Sequence, residues 1–176
     1  MAKRVARRPE GFKTASFDDI YSVSGCMSKD FTDYIPFWKH NGYWLFNSFE
    51  TIQSLAIEHS IDITPCQLFF YEVFEMEFEE EKKQWQPFEP EKDFETAVQP
   101  PDKKQLEGCD VVTFSLHTSP ECSPLSCNYL ADTIPTNRHC LLGSFDEAKG
   151  RIETGAFNNS EPGPFRIFAV YTFAVQ

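Results

Sequence analysis

Residues 43–50 read Tyr-Trp-Leu-Phe-Asn-Ser-Phe-Glu, and residues 139–146 read His-Cys-Leu-Leu-Gly-Ser-Phe-Asp. The two stretches align without a gap, and each ends in serine, phenylalanine and an acid. A serine ahead of an acidic first turn is typical of a helix N-terminus, and a proline and an aromatic run follow each helix. The pattern predicts two copies of a strand–helix–strand unit, at about 37–78 and 135–175.

Each predicted helix has a single apolar stripe. Apolar residues recur at spacings of three and seven after Ser48 and after Ser144, as expected for a helix with one buried side. Glu147 completes a capping box with Ser144, and Gly155 suits the position just after the helix. Residues 165–175 are apolar for most of their length, which predicts a central strand.

Two such units on one sheet, with their middle strands adjacent, predict an α+β fold. We expect a single mixed sheet with helices on one face, in a ferredoxin-like topology elaborated by an insert at about 78–134. The insert adds a strand near 110–116 and a loop with cysteines. The length fits one domain over 16–176, preceded by a basic, flexible arm over 1–15.

Composition restricts the partners. The formal net charge is −11, although the first 13 residues carry five basic side chains and one acid. An acidic body repels nucleic-acid phosphates and anionic membrane surfaces, so neither is an expected partner. No apolar run reaches the roughly 20 residues that span a bilayer. Without a secretion signal, the six cysteines are expected as reduced thiols in the cytoplasm.

An acidic hairpin is the main candidate for function. Acidic and apolar residues alternate over 75–79, a polar turn follows at 80–83, and 84–88 can return as an edge strand because it contains Pro87. Aromatic side chains supply contact area, and a negative field attracts a basic partner. We therefore predict a non-enzymatic domain that binds a basic protein, as an inhibitor or immunity protein does. The predicted contact residues are Glu75, Glu77, Phe78, Glu79, Trp85 and Phe88. The alternative is that these charges only protect a sheet edge from aggregation.

A second candidate is the loop between His117 and Cys140. His117, Cys122, Cys127 and His139 supply four ligands of the kind that zinc prefers, although their spacing is looser than in most structural zinc sites. Either cysteine could instead be a nucleophile activated by one of the histidines. The sequence shows no glycine-rich phosphate loop. This region predicts a metal-binding protein or a thiol-dependent enzyme as the alternative to the binding domain.

Overall fold

The structure is a computed structural model, and it describes residues 1–27, 43, 45–88, 98–114 and 121–174. Across these residues, no helix has the length and apolar character needed to cross a bilayer. The elements in chain order are β1 (Ala2–Lys3), β2 (Ala6–Arg7), β3 (Asp19–Ile20), α1 (Phe49–Glu58), β4 (Gln67–Val73), β5 (Met76–Glu79), β6 (Gln84–Pro87), β7 (Lys104–Thr113), α2 (Pro124–Cys127), a 3-10 turn (Leu130–Asp132), α3 (Phe145–Glu153) and β8 (Phe165–Phe173).

The last strand, β8, lies at the centre of a six-stranded sheet. It pairs with β7 along one edge and with β4 and then β5 along the other, while β1 pairs with β4 and β6 with β5. Strands β2 and β3 form a separate two-stranded ribbon. Every pairing between the described strands is antiparallel. The α+β class and the central position of β8 are therefore confirmed, whereas the predicted mixed sheet is antiparallel among the described strands.

The two helices begin where the repeated motif predicts. Ser48 and Ser144 have nearly the same extended backbone, with φ and ψ of −151° and 166° in the first and −153° and 165° in the second. The Ser144 hydroxyl accepts a hydrogen bond from the Glu147 N–H, and the Glu147 carboxylate accepts one from the Gly143 N–H. Gly155, at φ 76°, follows the end of α3. The predicted serine N-caps therefore form at the start of both helices.

The strands predicted to open the two copies are not confirmed. In the second copy Cys140 lies in a turn at φ 60°, and Leu142 alone makes an isolated bridge, to Cys109. The Asn137 side chain holds this turn, because its oxygen accepts hydrogen bonds from the His139 and Leu141 N–H groups. In the first copy, residues 45–46 form no strand, and most of the segment before them lies outside the described residues. The ferredoxin-like repeat arrangement is therefore not confirmed.

The sheet has two buried faces, which β8 separates by alternation. Phe165 and Ile167 point to the side covered by α3, where they pack with Ala148 and Ile152. We call this side the helix face. Arg166 and its alternate neighbours Phe168 and Val170 point the other way, and we call that side the opposite face.

Residues 1–15 lie against the domain instead of forming the predicted flexible arm. Ala2 pairs with Leu68 in the sheet, and Phe12 is only 2% exposed. The Asp132 carboxylate accepts hydrogen bonds from the N–H groups of residues 13–15. The charge of this segment predicted a solvated arm, but its basic residues are interleaved with apolar residues that are buried in the core.

Candidate functional site

The acidic hairpin forms as predicted, but most of its proposed contact residues are packed. Strands β5 and β6 pair over Met76–Glu79 and Gln84–Pro87, with β6 last in the sheet order. Glu77 is 5% exposed and Phe78 is 6% exposed. Glu79 is half-buried, and Glu75 is the only one of the six predicted residues that is exposed.

The hairpin aromatics contact the core. Trp85 packs edge-on against Phe78, and its indole N–H donates to the Glu153 carboxylate on α3 at 2.8 Å. Phe88 covers the buried guanidinium of Arg166, whose Cζ lies 3.4 Å from the ring centroid. These two side chains therefore hold the hairpin on the sheet, one on each face.

The structure does not bring together the four predicted metal ligands. His117 lies outside the described residues. The His139 ring stacks on Tyr21 at 3.9 Å, and its two nitrogens lie 2.5 Å from Asp19 Oδ1 and 3.5 Å from Glu107 Oε2. His139 is not part of the group of potential ligands that converge within 4.8 Å among the described residues. Its role as a metal ligand, or as the base of a thiol nucleophile, stays a prediction.

Three thiols converge instead. The Sγ atoms of Cys26, Cys122 and Cys127 all lie within 4.8 Å of one another, the only such group of potential ligands among the described residues. Cys26 is exposed in a bend after β3, and Cys127 is half-buried at the end of α2. Cys122 is buried and held by an isolated bridge to Thr113 at the end of β7. We call these three residues the thiol cluster.

A chain of hydroxyl groups connects the thiol cluster to the sheet. The buried Asp110 carboxylate accepts a hydrogen bond from Ser123 Oγ at 2.7 Å, and Ser123 Oγ in turn accepts one from Ser22 at 2.6 Å. Ser22 Oγ lies 3.1 Å from Ser24 Oγ, which lies 3.6 Å from Cys127 Sγ. These contacts hold the segment before Cys26 and the segment around Cys122 in one network.

A buried lysine fixes the same segment. Lys3 is 1% exposed, and its ammonium donates to the backbone carbonyls of Ser22, Val23 and Ser24 at 2.6–2.8 Å. On the other side of this segment the Val23 N–H donates to Asp110 at 2.8 Å. Residues 22–24 are thus clamped between the Lys3 ammonium and the Asp110 carboxyl group, two residues before the exposed thiol.

The thiols influence one another's ionisation. Hydrogen bonds from Cys122 and then Cys127 lower the pKa of Cys26 to about 3, and Ser24 and the charge of Lys3 act in the same direction. Hydrogen bonds to Cys127 and Cys26 raise the pKa of Cys122. The hydrogen bond with Cys122 lowers the pKa of Cys127, but Cys26 and burial together raise it by more, so the net shift is upward. The cluster therefore stabilises one thiolate and resists forming a second without a nearby cation.

The other three cysteines have a different character. Burial raises the pKa of Cys109 to about 11 and raises that of Cys140 as well. Burial also raises the pKa of Cys66, which packs beside α1. Thiols of this kind are unreactive, because the thiolate is the nucleophile and the metal ligand.

Sequence reasoning found two members of the thiol cluster and missed Cys26. Cys122 and Cys127 are close in sequence, whereas Cys26 comes almost a hundred residues earlier. No spacing rule joins it to them. The only available signal was that Cys26 follows a serine-rich bend, which is too common to point to a site.

Comparisons with models of protein families, with curated proteins and with solved structures found no match to this chain.

Proposed function

We propose that the protein binds a thiophilic metal ion, Zn²⁺ or Cu⁺, through Cys26, Cys122 and Cys127. The observation that carries this proposal is the convergence of three sulfurs within 4.8 Å. Sulfurs that share one tetrahedral zinc ion at about 2.3 Å lie roughly 3.8 Å apart, so a closure of about 1 Å at most completes the site.

The electrostatics of the site favour a cation. Three neighbouring thiolates repel one another, and this repulsion keeps Cys122 and Cys127 protonated. A cation bound between the sulfurs removes the repulsion and favours the thiolate forms. The buried ammonium of Lys3 offsets part of the remaining negative charge. When bound, a zinc ion would supply structural cross-linking or Lewis acidity, and a cuprous ion would be held for storage or transfer.

The exposure of Cys26 leaves one side of the cluster open. Structural zinc sites are usually closed by four protein ligands, whereas sites that exchange a ligand keep a position for water or substrate. Three sulfurs also suit Cu⁺, which soft thiolate ligands select. The proposal therefore favours a site that exchanges ligand or metal with solvent over one that serves only to hold the fold together.

Metal analysis tests this proposal. The protein is purified without chelator, dialysed, and measured for zinc and copper, and the metal-free protein is then titrated against a coloured chelator to obtain affinities for both ions. We expect one equivalent of metal that resists dialysis. Cobalt substitution should give thiolate-to-metal charge-transfer bands, which depend on sulfur ligands.

Matched variants locate the site. Cys26→Ser, Cys122→Ser and Cys127→Ser should each lose the metal, since serine is a far weaker ligand for these ions. Cys66→Ser should retain it, and so should His139→Gln, which separates the observed cluster from the ligand set that the sequence suggests. Metal retained by all three cluster variants, or no metal in the parent protein, contradicts the proposal.

Binding of a basic protein by the acidic hairpin is a second candidate. It is favoured by the position of β6 as the last strand of its sheet path and by the exposure of Glu75 and Glu81. A negative field at an edge strand attracts a basic chain that can pair with the strand.

The test is capture from a lysate at low salt by three proteins. These are the parent, a Glu75→Lys/Glu81→Lys variant, and a control with Glu58→Lys on the exposed side of α1. A partner that is lost only with the hairpin variant and is itself basic supports the hairpin surface. If every captured protein is retained by the hairpin variant, this second candidate fails.

A further inference from the structure

We propose that the thiol cluster is an oxidant-sensitive metal site, in which a hydroperoxide oxidises Cys26 and a disulfide to Cys122 or Cys127 releases the metal. This inference rests on the proposed metal binding and adds its regulation. It follows from three features of the cluster: the exposure of one thiol, the proximity of two others, and the number of ligands.

Access to the cluster is through Cys26. Its side chain is exposed, whereas Cys122 is buried and Cys127 is half-buried. An oxidant from solvent therefore meets Cys26 first. The Cys26 Sγ lies 3.0 Å from the Glu121 carbonyl oxygen, over the loop that carries Cys122.

The neighbouring thiols are close enough to resolve the oxidised sulfur. All three Sγ atoms lie within 4.8 Å, and a disulfide needs a separation of about 2.05 Å. Cys26 lies in the irregular bend over 23–27, two residues beyond the clamp that Lys3 and Asp110 form. Movement there disrupts no helix or strand, while the clamp keeps the sulfur within reach.

The chemistry balances with hydroperoxide as the oxidant. The Cys26 thiolate attacks the terminal oxygen, so that an S–O bond forms, the O–O bond breaks, and the leaving alkoxide or hydroxide takes up a proton. The second thiol then attacks the oxidised sulfur, an S–S bond forms, and the oxygen leaves as water. Two thiols lose two electrons in total, and the peroxide gains them.

Metal release follows from the ligand count. A disulfide between two of the three cysteines leaves a single thiol, and one sulfur cannot hold Zn²⁺ or Cu⁺ against solvent. The remaining thiolate takes up a proton as the ion leaves. Reduction by a dithiol restores all three ligands, so the response is reversible.

The experiment uses zinc-loaded full-length protein and hydrogen peroxide. Zinc release is followed with a coloured chelator, and the disulfide is identified by mass spectrometry after alkylation and digestion. We expect zinc release together with one disulfide that includes Cys26, reversed by dithiothreitol. Cys66→Ser, a thiol outside the cluster, should respond as the parent does.

Two further variants separate the possible failures. Cys127→Ser and Cys122→Ser each keep Cys26 and one neighbour, so at least one of them should still form a disulfide when metal-free, whereas Cys26→Ser should form none. Zinc that binds but is not released by peroxide, or is released with only overoxidised cysteine, overturns this inference and leaves the proposed function intact. Failure to load zinc or copper overturns the proposed function and this inference with it.

Discussion

On the helix face of β8, Phe165 and Ile167 meet Ala148 and Ile152 of α3 in a cluster of apolar side chains. On the opposite face the same strand buries Arg166, whose guanidinium lies over the rings of Phe88 and Phe114. Adjacent residues of one strand thus lie in interiors of different composition. Hydrophobic burial stabilises the first, and the second holds charges that must be compensated.

The hydrogen-bond network that reaches the thiol cluster also begins on the opposite face. Asp110 pairs with Phe168 and so shares that face, and its carboxylate holds Ser123 and Val23 beside the cysteines. One side of the sheet therefore buries polar and charged groups, whose burial lowers stability unless they are hydrogen-bonded or paired.

The largest expected effect is on the pH dependence of stability, through Asp110. Burial raises the pKa of this carboxyl to about 7, against the opposing hydrogen bonds from Ser123 and Val23. Below about pH 4 the group is protonated in both states. Between about pH 4 and 7 the unfolded chain releases the proton and the folded one keeps it, so stability falls as pH rises, by on the order of 4 kcal/mol.

Asp110→Asn keeps the shape and removes the titration. Urea unfolding of parent and variant at several pH values should therefore show a difference that changes between about pH 4 and 7 and is constant above that range. A difference that does not vary with pH would show that the folded protein ionises Asp110 as readily as the unfolded chain does.

The next largest loss of stability is expected for a substitution on the helix face. Ile152→Ala should lower the free energy of unfolding by about 3 kcal/mol, because it removes a side chain that is 2% exposed and leaves a cavity against the sheet. Urea unfolding measures it. Ile57→Ala on α1, where the isoleucine is 81% exposed, is the control and should change stability little. Equal losses in the two variants would contradict the packing of α3.

Lys3→Met should lower the free energy of unfolding by about 2 kcal/mol, because three backbone carbonyls of residues 22–24 lose their hydrogen-bond donor. The same variant should weaken zinc binding, because the clamped segment carries Cys26. Arg4→Met, at an exposed neighbour, is the control for both measurements. Unchanged zinc affinity in Lys3→Met would separate the lysine from the thiol cluster and leave it a purely structural role.

The smallest effect tests the charge at the centre of the opposite face. Arg166→Met combined with Glu77→Gln should change the free energy of unfolding by less than about 1 kcal/mol, since replacing buried opposite charges together often costs nothing. Burial lowers the pKa of Arg166, and Glu77 partly offsets this. Arg166→Met alone should be less stable than the pair of changes. A large loss in the double variant would show that the aromatic rings around Arg166 stabilise its charge strongly.

Sequence patterns predicted the features that depend on a few adjacent residues. The caps at Ser48 and Ser144, the glycine at 155 and the hairpin of β5 and β6 all form. Each depends on a hydrogen bond or backbone angle within a few positions. The central placement of β8 followed from its continuous apolar run.

The departures from these predictions have other causes. A strand was predicted to open the second copy, and the Asn137 side chain instead holds a turn there through N–H groups two and four residues away. Glu77 was predicted as a contact residue and is buried in the sheet. His139 was predicted as a metal ligand, and its ring nitrogens lie beside Asp19 and Glu107, both distant in sequence.

The α+β class, the starts of both long helices and the position of β8 in the middle of the sheet could be predicted from the order of residues. Which cysteines meet, which charges are buried and how residues 1–15 pack depend on contacts that form only when the chain folds. The physical reason is the range of the interactions. Caps and alternation act within a few residues, whereas a site of three thiols exists only after the chain has folded a segment near its start against a loop near residue 125.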